Sequence, residues 1–72
     1  MEIKNCKSVH SFNVMDEVKR GKIIFGVDRY ELECFEVNTL TVNKLANILT
    51  ETAINTNRFD FWILEVNDNE HI

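Results

Sequence analysis

The stretch Arg58 to Val66 (RFDFWILEV) constrains this chain more than any other. Read as a strand, it puts Phe59, Phe61 and Ile63 on one face and Trp62, Leu64 and Val66 on the other. A strand that is apolar on both faces belongs inside a sheet, flanked by neighbours and covered on both sides. The chain has 72 residues, and its pattern supplies one long helix and one helix of two turns, too little to cover a second sheet face. The missing cover is then the N-terminal segment or another copy of the chain. Small domains often lack enough core to be robust alone, so self-association as a homodimer is the expectation.

The long helix runs from Val42 to about Thr56, with Thr41 as N-cap and Leu40 placed to pack on Leu45. Val42, Leu45, Ala46, Leu49 and Ala53 fall within a wedge of about 100°, flanked by Ile48 and Ile54. Asn57 is placed as a left-handed C-cap. The short helix starts at a cap on Ser11 or Asn13, carries Asp16 and Glu17 early and Lys19 and Arg20 late, and stops at Gly21. Its apolar face is Val14, Met15 and Val18.

Lys22 to Val27 (KIIFGV) and Arg29 or Tyr30 to Val37 (YELECFEV from Tyr30) read as a hairpin turning at Asp28-Arg29. Tyr30, Leu32 and Cys34 alternate with Glu31 and Glu33, a pattern of one buried and one wet face. Phe35 breaks it by falling on the glutamate side, so either a bulge sits near Cys34 or Phe35 covers something else. Glu2 to His10 alternates weakly and adds a possible fourth strand. The expected architecture is a single α+β domain over residues 1–72, with a small antiparallel or mixed sheet of three or four strands and helices on one face. The element order is α-β-β-α-β, or β-α-β-β-α-β if the first strand forms, which permits a ferredoxin-like sandwich. Residues 67–72 (NDNEHI) read as a frayed tail.

Composition excludes several classes. With no proline and two glycines, the chain is neither a low-complexity segment nor a collagen-like one. No apolar run approaches the ~18 residues that span a bilayer, and Met1 to Phe12 lacks a signal-peptide core, so a cytoplasmic protein is expected. Two cysteines, Cys6 and Cys34, are too few for a disulfide scaffold and are expected to be reduced. With His10 and His71 they complete the count for a zinc site, but only Cys6 and His10 are close, so no metal is expected. Ser8, Ser11 and the two thiols have only His10 as a placed base and no glycine elbow or oxyanion loop, so catalysis is not expected either. Glu31 and Glu33 resemble a carboxylate pair but read as a solvated sheet face. No cofactor motif is present.

Charge is divided unevenly. Residues 1–30 carry six basic and four acidic side chains, whereas residues 31–72 carry two basic and eight acidic ones. An acidic half repels nucleic-acid backbones and attracts basic protein surfaces. Glu31, Glu33, Phe35 and Glu36 on the second hairpin strand, with Asp60, Trp62 and Glu65 on the last strand, combine acidic steering with aromatic area. They are the expected protein-binding residues. Lys4, Lys7, Lys19, Arg20 and Lys22 form the only basic cluster and carry the alternative, a small nucleic-acid-binding regulator. A structural subunit docking an apolar face into a larger assembly is the third reading.

Nine Asn, seven Ile and five Lys against two Ala reflect AT-rich codons. EVKRGKIIF (Glu17 to Phe25), followed by a hairpin, a helix and NRFDFWILEV (Asn57 to Val66), resembles the short accessory proteins of phages and prophages of AT-rich Gram-positive bacteria. The resemblance implies a class of work: binding and inhibiting or redirecting a host protein, nucleases of antiviral defence among them, or regulating the element's own genes.

Overall fold

In the computed structural model, which describes residues 5–65, the two-faced strand lies in the interior of a four-stranded sheet. The elements are β1 (Cys6–Val9), α1 (Ser11–Lys19), β2 (Ile24–Asp28), β3 (Glu33–Glu36), a 3₁₀ turn (Val37–Thr39), α2 (Val42–Ile54) and β4 (Phe59–Leu64). The weak N-terminal alternation does form a strand. The sheet order is β1-β4-β2-β3 and every neighbouring pair is antiparallel. β1 and β2 therefore run in one direction with β4 between them, and β3 and β4 run in the other with β2 between them. Each helical crossover steps over a strand supplied by the other, so the two βαβ units interlock.

Both helices pack on one sheet face. Val14 of α1, Leu45 of α2, Ile24 of β2, Val37 of the 3₁₀ turn, and Phe59, Phe61 and Ile63 of β4 form one buried cluster. Val9, Met15, Val18, Phe35, Leu40, Ile48 and Leu49 pack around it. The 3₁₀ turn is tied to the sheet by Asn38, whose Oδ1 accepts the Ile24 N–H at 2.8 Å and whose Nδ2 donates to the Lys22 carbonyl at 2.8 Å. That side chain bonds as a neighbouring strand would.

Several local expectations are corrected. α1 begins earlier than a cap at Ser11 or Asn13 allows: His10 is the N-cap, and its Nδ1 accepts the Phe12 N–H at 3.1 Å. The first turn then holds no acid. The end is as expected, with Gly21 at φ +81°. The Gly21 N–H donates to the Val18 carbonyl and the Lys22 N–H to that of Glu17, the paired bonds of a Schellman stop.

α2 starts at the Thr41 cap, where the Thr41 hydroxyl oxygen accepts the Lys44 N–H at 3.2 Å. Its core stripe is Leu45, Ile48, Leu49 and Thr52, while Val42, Ala46, Ala53 and Ile54 are exposed. The helix is rotated toward the larger Ile48 and away from the alanines. Thr52 tolerates burial because its hydroxyl donates to the Ile48 carbonyl at 2.8 Å. The helix ends at an extended Asn55, and Asn57 is not left-handed.

The hairpin turn is Arg29 to Leu32, not Asp28-Arg29. Tyr30, Glu31 and Leu32 leave the strand, and Leu32 takes a left-handed φ of +57°. The conflict at Phe35 is resolved without a bulge. Phe35 faces the helices, paired with Gly26, and a Cβ on Gly26 would lie 2.4 Å from Phe35 Cζ. The absent side chain is the seat of the ring, which also meets Phe59 edge-on with centroids 6.2 Å apart. Val66 and the tail at 67–72 lie outside the described residues.

Candidate functional site

The opposite face of the sheet carries no described element. Cross-strand partners share a face, so register decides its composition. Trp62 at the centre stands between Phe25 on β2 and Ser8 on β1. Leu64 pairs with Cys6, and its N–H donates to the carbonyl of the half-exposed Ile23. Val27 lies between Cys34 and Asp60, and Glu36 stands opposite Phe25 on the β3 edge. The result is an apolar centre of Phe25, Trp62, Leu64 and Ile23 with acids on its margin. Asp60 has Arg29 beside it at 3.9 Å. The indole Nε1 of Trp62 is enclosed, and among the described residues it has no hydrogen-bond acceptor. An orphaned indole donor costs about 1–3 kcal/mol relative to a satisfied one.

Of the seven expected binding residues, this face gathers Glu36, Asp60 and Trp62. Glu31 is not on a strand; it lies in the hairpin turn. Glu33 and Phe35 alternate to the helix side of β3, and Phe35 is part of the packing there. Glu65 follows the end of β4, where its N–H donates to the Asn5 carbonyl at 3.0 Å. Phe25, Ile23 and Leu64 were missed as site residues. The signal was available, because KIIFGV is apolar at consecutive positions, as a central strand is.

A second polar constellation had no sequence signal. Arg58, just before β4, donates from Nη2 to Asp28 Oδ2 at 3.1 Å and from Nη1 to Glu51 Oε1 at 2.6 Å. Its guanidinium lies 5.6 Å from the Tyr30 ring centroid and 5.0 Å from that of Phe59. The Tyr30 hydroxyl accepts from Asn55 Nδ2 at 2.6 Å. Asp28 also accepts the N–H groups of Tyr30 and Glu31 at 3.0 and 3.2 Å. The Arg58 hydrogen bond holds the Asp28 carboxyl below the usual carboxylate range, and Asp28 and Glu51 together raise the Arg58 pKa further. The cluster joins the hairpin root to the end of α2, which is a structural task.

The remaining candidates are dispersed. Lys7 and Arg20 line a groove of about 380 Å³ between β1 and α1, but Asp16 and Glu17 line it too, and Arg20 is paired with Glu17 at 3.1 Å. That mixed lining suits a phosphate backbone poorly. Lys19 and Lys22 flank the α1 stop, and Lys4 lies outside the described residues. Cys6 and Cys34 are free, on opposite edge strands, and burial pushes the Cys6 thiol upward. Among the described residues no group of three or more His, Cys, Asp or Glu side chains is placed to hold a metal; His71 is not among them. His10 Nδ1 is engaged in capping α1, so that nitrogen is not free as a base toward Ser8 or Ser11. Among the described residues, no helix is long and apolar enough to cross a membrane.

No family model matches the sequence, and comparison with curated proteins and with solved structures finds no match.

Proposed function

We propose that this chain is a small non-enzymatic protein-binding module that lays the helix-free face of its sheet on a protein with a basic surface. The observation that carries the reading is Trp62, whose enclosed indole N–H has no acceptor among the described residues and lies at the centre of an apolar patch with Glu36 and Asp60 at its margin. Aromatic centres with polar rims are what protein interfaces select, and the partner supplies the missing acceptor. Glu36 and Asp60 at its margin favour a basic partner. A second copy of the chain is the competing occupant, but it would bring a second set of acids toward the first. The resemblance to phage and prophage accessory proteins gives the reading a biological form, the inhibition or redirection of a host protein.

The test uses the one tryptophan of the chain. The tagged chain and its Trp62→Ala, Glu36→Lys and Asp60→Lys variants are drawn gently from a lysate of an AT-rich Gram-positive cell and weighed by native mass spectrometry. The reading expects one stoichiometric host protein that Trp62→Ala loses and that the two reversals release at lower salt. With the purified pair, Trp62 emission shifts to the blue on binding. A host protein held equally by wild type and Trp62→Ala overturns the assignment of the face, and chain multiples alone make a second copy its occupant.

A further inference from the structure

At the other side of β4 the sheet has an unfinished edge. Leu64 and Arg58 exchange bonds with β2: the Leu64 N–H reaches the Ile23 carbonyl and the Arg29 N–H reaches the Arg58 carbonyl. The even-numbered residues of β4 therefore turn their backbone groups toward β2. The Glu65 N–H reaches the Asn5 carbonyl, so the odd-numbered residues turn theirs toward β1. Phe61 and Ile63 meet Val9 and Lys7 there. Phe59 would meet Ser11, but β1 has ended at Val9 and Ser11 opens α1. Phe59 is 7% exposed, and past Val9 the β1 ladder offers its N–H and C=O no strand partner. Backbone groups inside a protein are nearly always paired, so the end of a ladder is a place where a further strand can be received.

The two groups border a groove of about 340 Å³, a volume near the lower end of the ~300–1,000 Å³ of typical ligand sites. Phe12, Ala53, Phe59 and Phe61 give it apolar walls, and Asp60 is the one charged residue of its lining. A simple anion uses only the N–H and meets Asp60, and a simple cation leaves the N–H empty. An amide in extended conformation satisfies both Phe59 groups, because one residue of an antiparallel partner strand exchanges both bonds with the residue it faces.

We infer that this groove takes an extended peptide segment of a partner protein, added as a short strand along β4 where β1 stops. A short apolar side chain enters between Phe12 and Ala53, and a basic residue lies near Asp60. This is strand addition on an exposed sheet edge, in which main-chain bonds supply affinity and a side-chain pocket supplies selection. The site borders the Trp62 face and shares Asp60 with it, but its backbone groups and apolar walls lie outside that face, so it does not depend on Trp62.

The experiment titrates the full ¹⁵N-labelled chain with a blocked pentapeptide, acetyl-Lys-Thr-Val-Thr-Lys-amide, and follows the Phe59 amide. Two analogues replace alternate peptide amides by esters, removing the N–H groups of one strand edge or the other. The proposal expects the Phe59 N–H resonance to move with a Kd of about 1 mM or tighter. One ester analogue weakens binding at least tenfold and the other does not, and Ala53→Trp, a filled groove from an exposed helix position, abolishes the shift. If that variant does not fold, the ester comparison on the wild-type chain decides alone. The proposal is overturned by a Phe59 resonance that stays fixed to ~10 mM peptide, or by both ester analogues binding like the parent. It is also overturned if the Phe59 N–H of the free chain exchanges with solvent as slowly as that of Phe61, since a terminus of the chain or a second copy would then already fill the groove.

Discussion

The two faces of the sheet are built from the same strands and have opposite fates. On the helix side, Ile24, Phe59, Phe61 and Ile63 meet Val14 and Leu45 and disappear from solvent. On the other side Val27 is buried, but Phe25, Trp62 and Leu64 are only half-buried, Ile23 is more exposed still, and among the described residues the indole N–H at the centre lacks a partner. Along β4 the faces differ by a single polar residue: Phe59, Phe61 and Ile63 alternate with Asp60, Trp62 and Leu64. What separates them is the supply of covering elements. Two helices of nine and thirteen residues cover one face, and nothing described is left for the second. An apolar face that no described element covers therefore follows from how few covering elements the described residues supply, and exposed apolar patches of this kind are where proteins bind one another.

The sharpest way to break this comparison is to delete neighbouring aromatics on either side of one backbone. Phe61 is 3% exposed in the core, and Phe61→Ala should cost about 3–5 kcal/mol, enough to unfold much of a domain this small. Trp62→Ala, one residue away and on the open face, should cost about 1–2 kcal/mol while removing partner binding. Urea titrations of both variants measure the difference. Equal losses would mean that Trp62 is as deeply cored as Phe61 and that the two faces are alike.

A smaller change probes how the helix side is closed over Gly26. Gly26→Ala places a methyl group 2.4 Å from Phe35 Cζ, so the ring must leave its seat, at about 1–3 kcal/mol. Phe35→Leu should relieve most of that loss in the double variant, because the two positions share one volume. Additive losses in the denaturation midpoints would show that the ring and the glycine do not compete for that space.

The acid limb of stability isolates the Arg58 cluster from either face. The Asp28 carboxyl titrates below its ordinary value when folded, so its contribution is complete above the unfolded value of about 3.9 and is lost as pH falls through the lower native one. Wild-type Tm should therefore drop as the pH is lowered below about 4, and Arg58→Met should lower Tm near neutrality while flattening that drop. Parallel curves for the two proteins would remove Arg58 as the cause of the Asp28 shift.

How much of this was legible without coordinates follows from how far each cause reaches along the chain. The central placement of β4, the Thr41 cap, the Gly21 stop and the single-sided helices are local patterns, and they are found where they were read. The hairpin turn was misplaced because Asp28 is committed to Arg58, thirty residues away, and holds the turn N–H groups of Tyr30 and Glu31 from inside the strand. The side of Phe35 depends on a missing Cβ across the sheet at Gly26. The rotation of α2 depends on Thr52, a polar residue by type that satisfies its own hydroxyl. Of the acid-and-aromatic site, Trp62 and Asp60 were legible from alternation, whereas Glu36 alternates with Leu32 and Cys34 on the side read as buried; Glu31 falls in the turn because the strand starts later than expected, and Glu33 and Phe35 face the helices.

The smallest effect lies at Leu32, and it bears on which exposed apolar groups belong to the open face. Leu32 is 82% exposed and sits at φ +57°, a conformation that a leucine adopts at a cost of about 1–2 kcal/mol and that asparagine adopts more readily. Its side chain covers no core, so Leu32→Asn removes strain without removing packing and should raise stability by a few tenths to about 1 kcal/mol. Urea midpoints measure the gain. If the turn serves only to reverse the chain, partner binding by the Trp62 face is unchanged in the variant. If binding falls while stability rises, the strained leucine is retained for contact, and the open face extends past the strands to the hairpin tip.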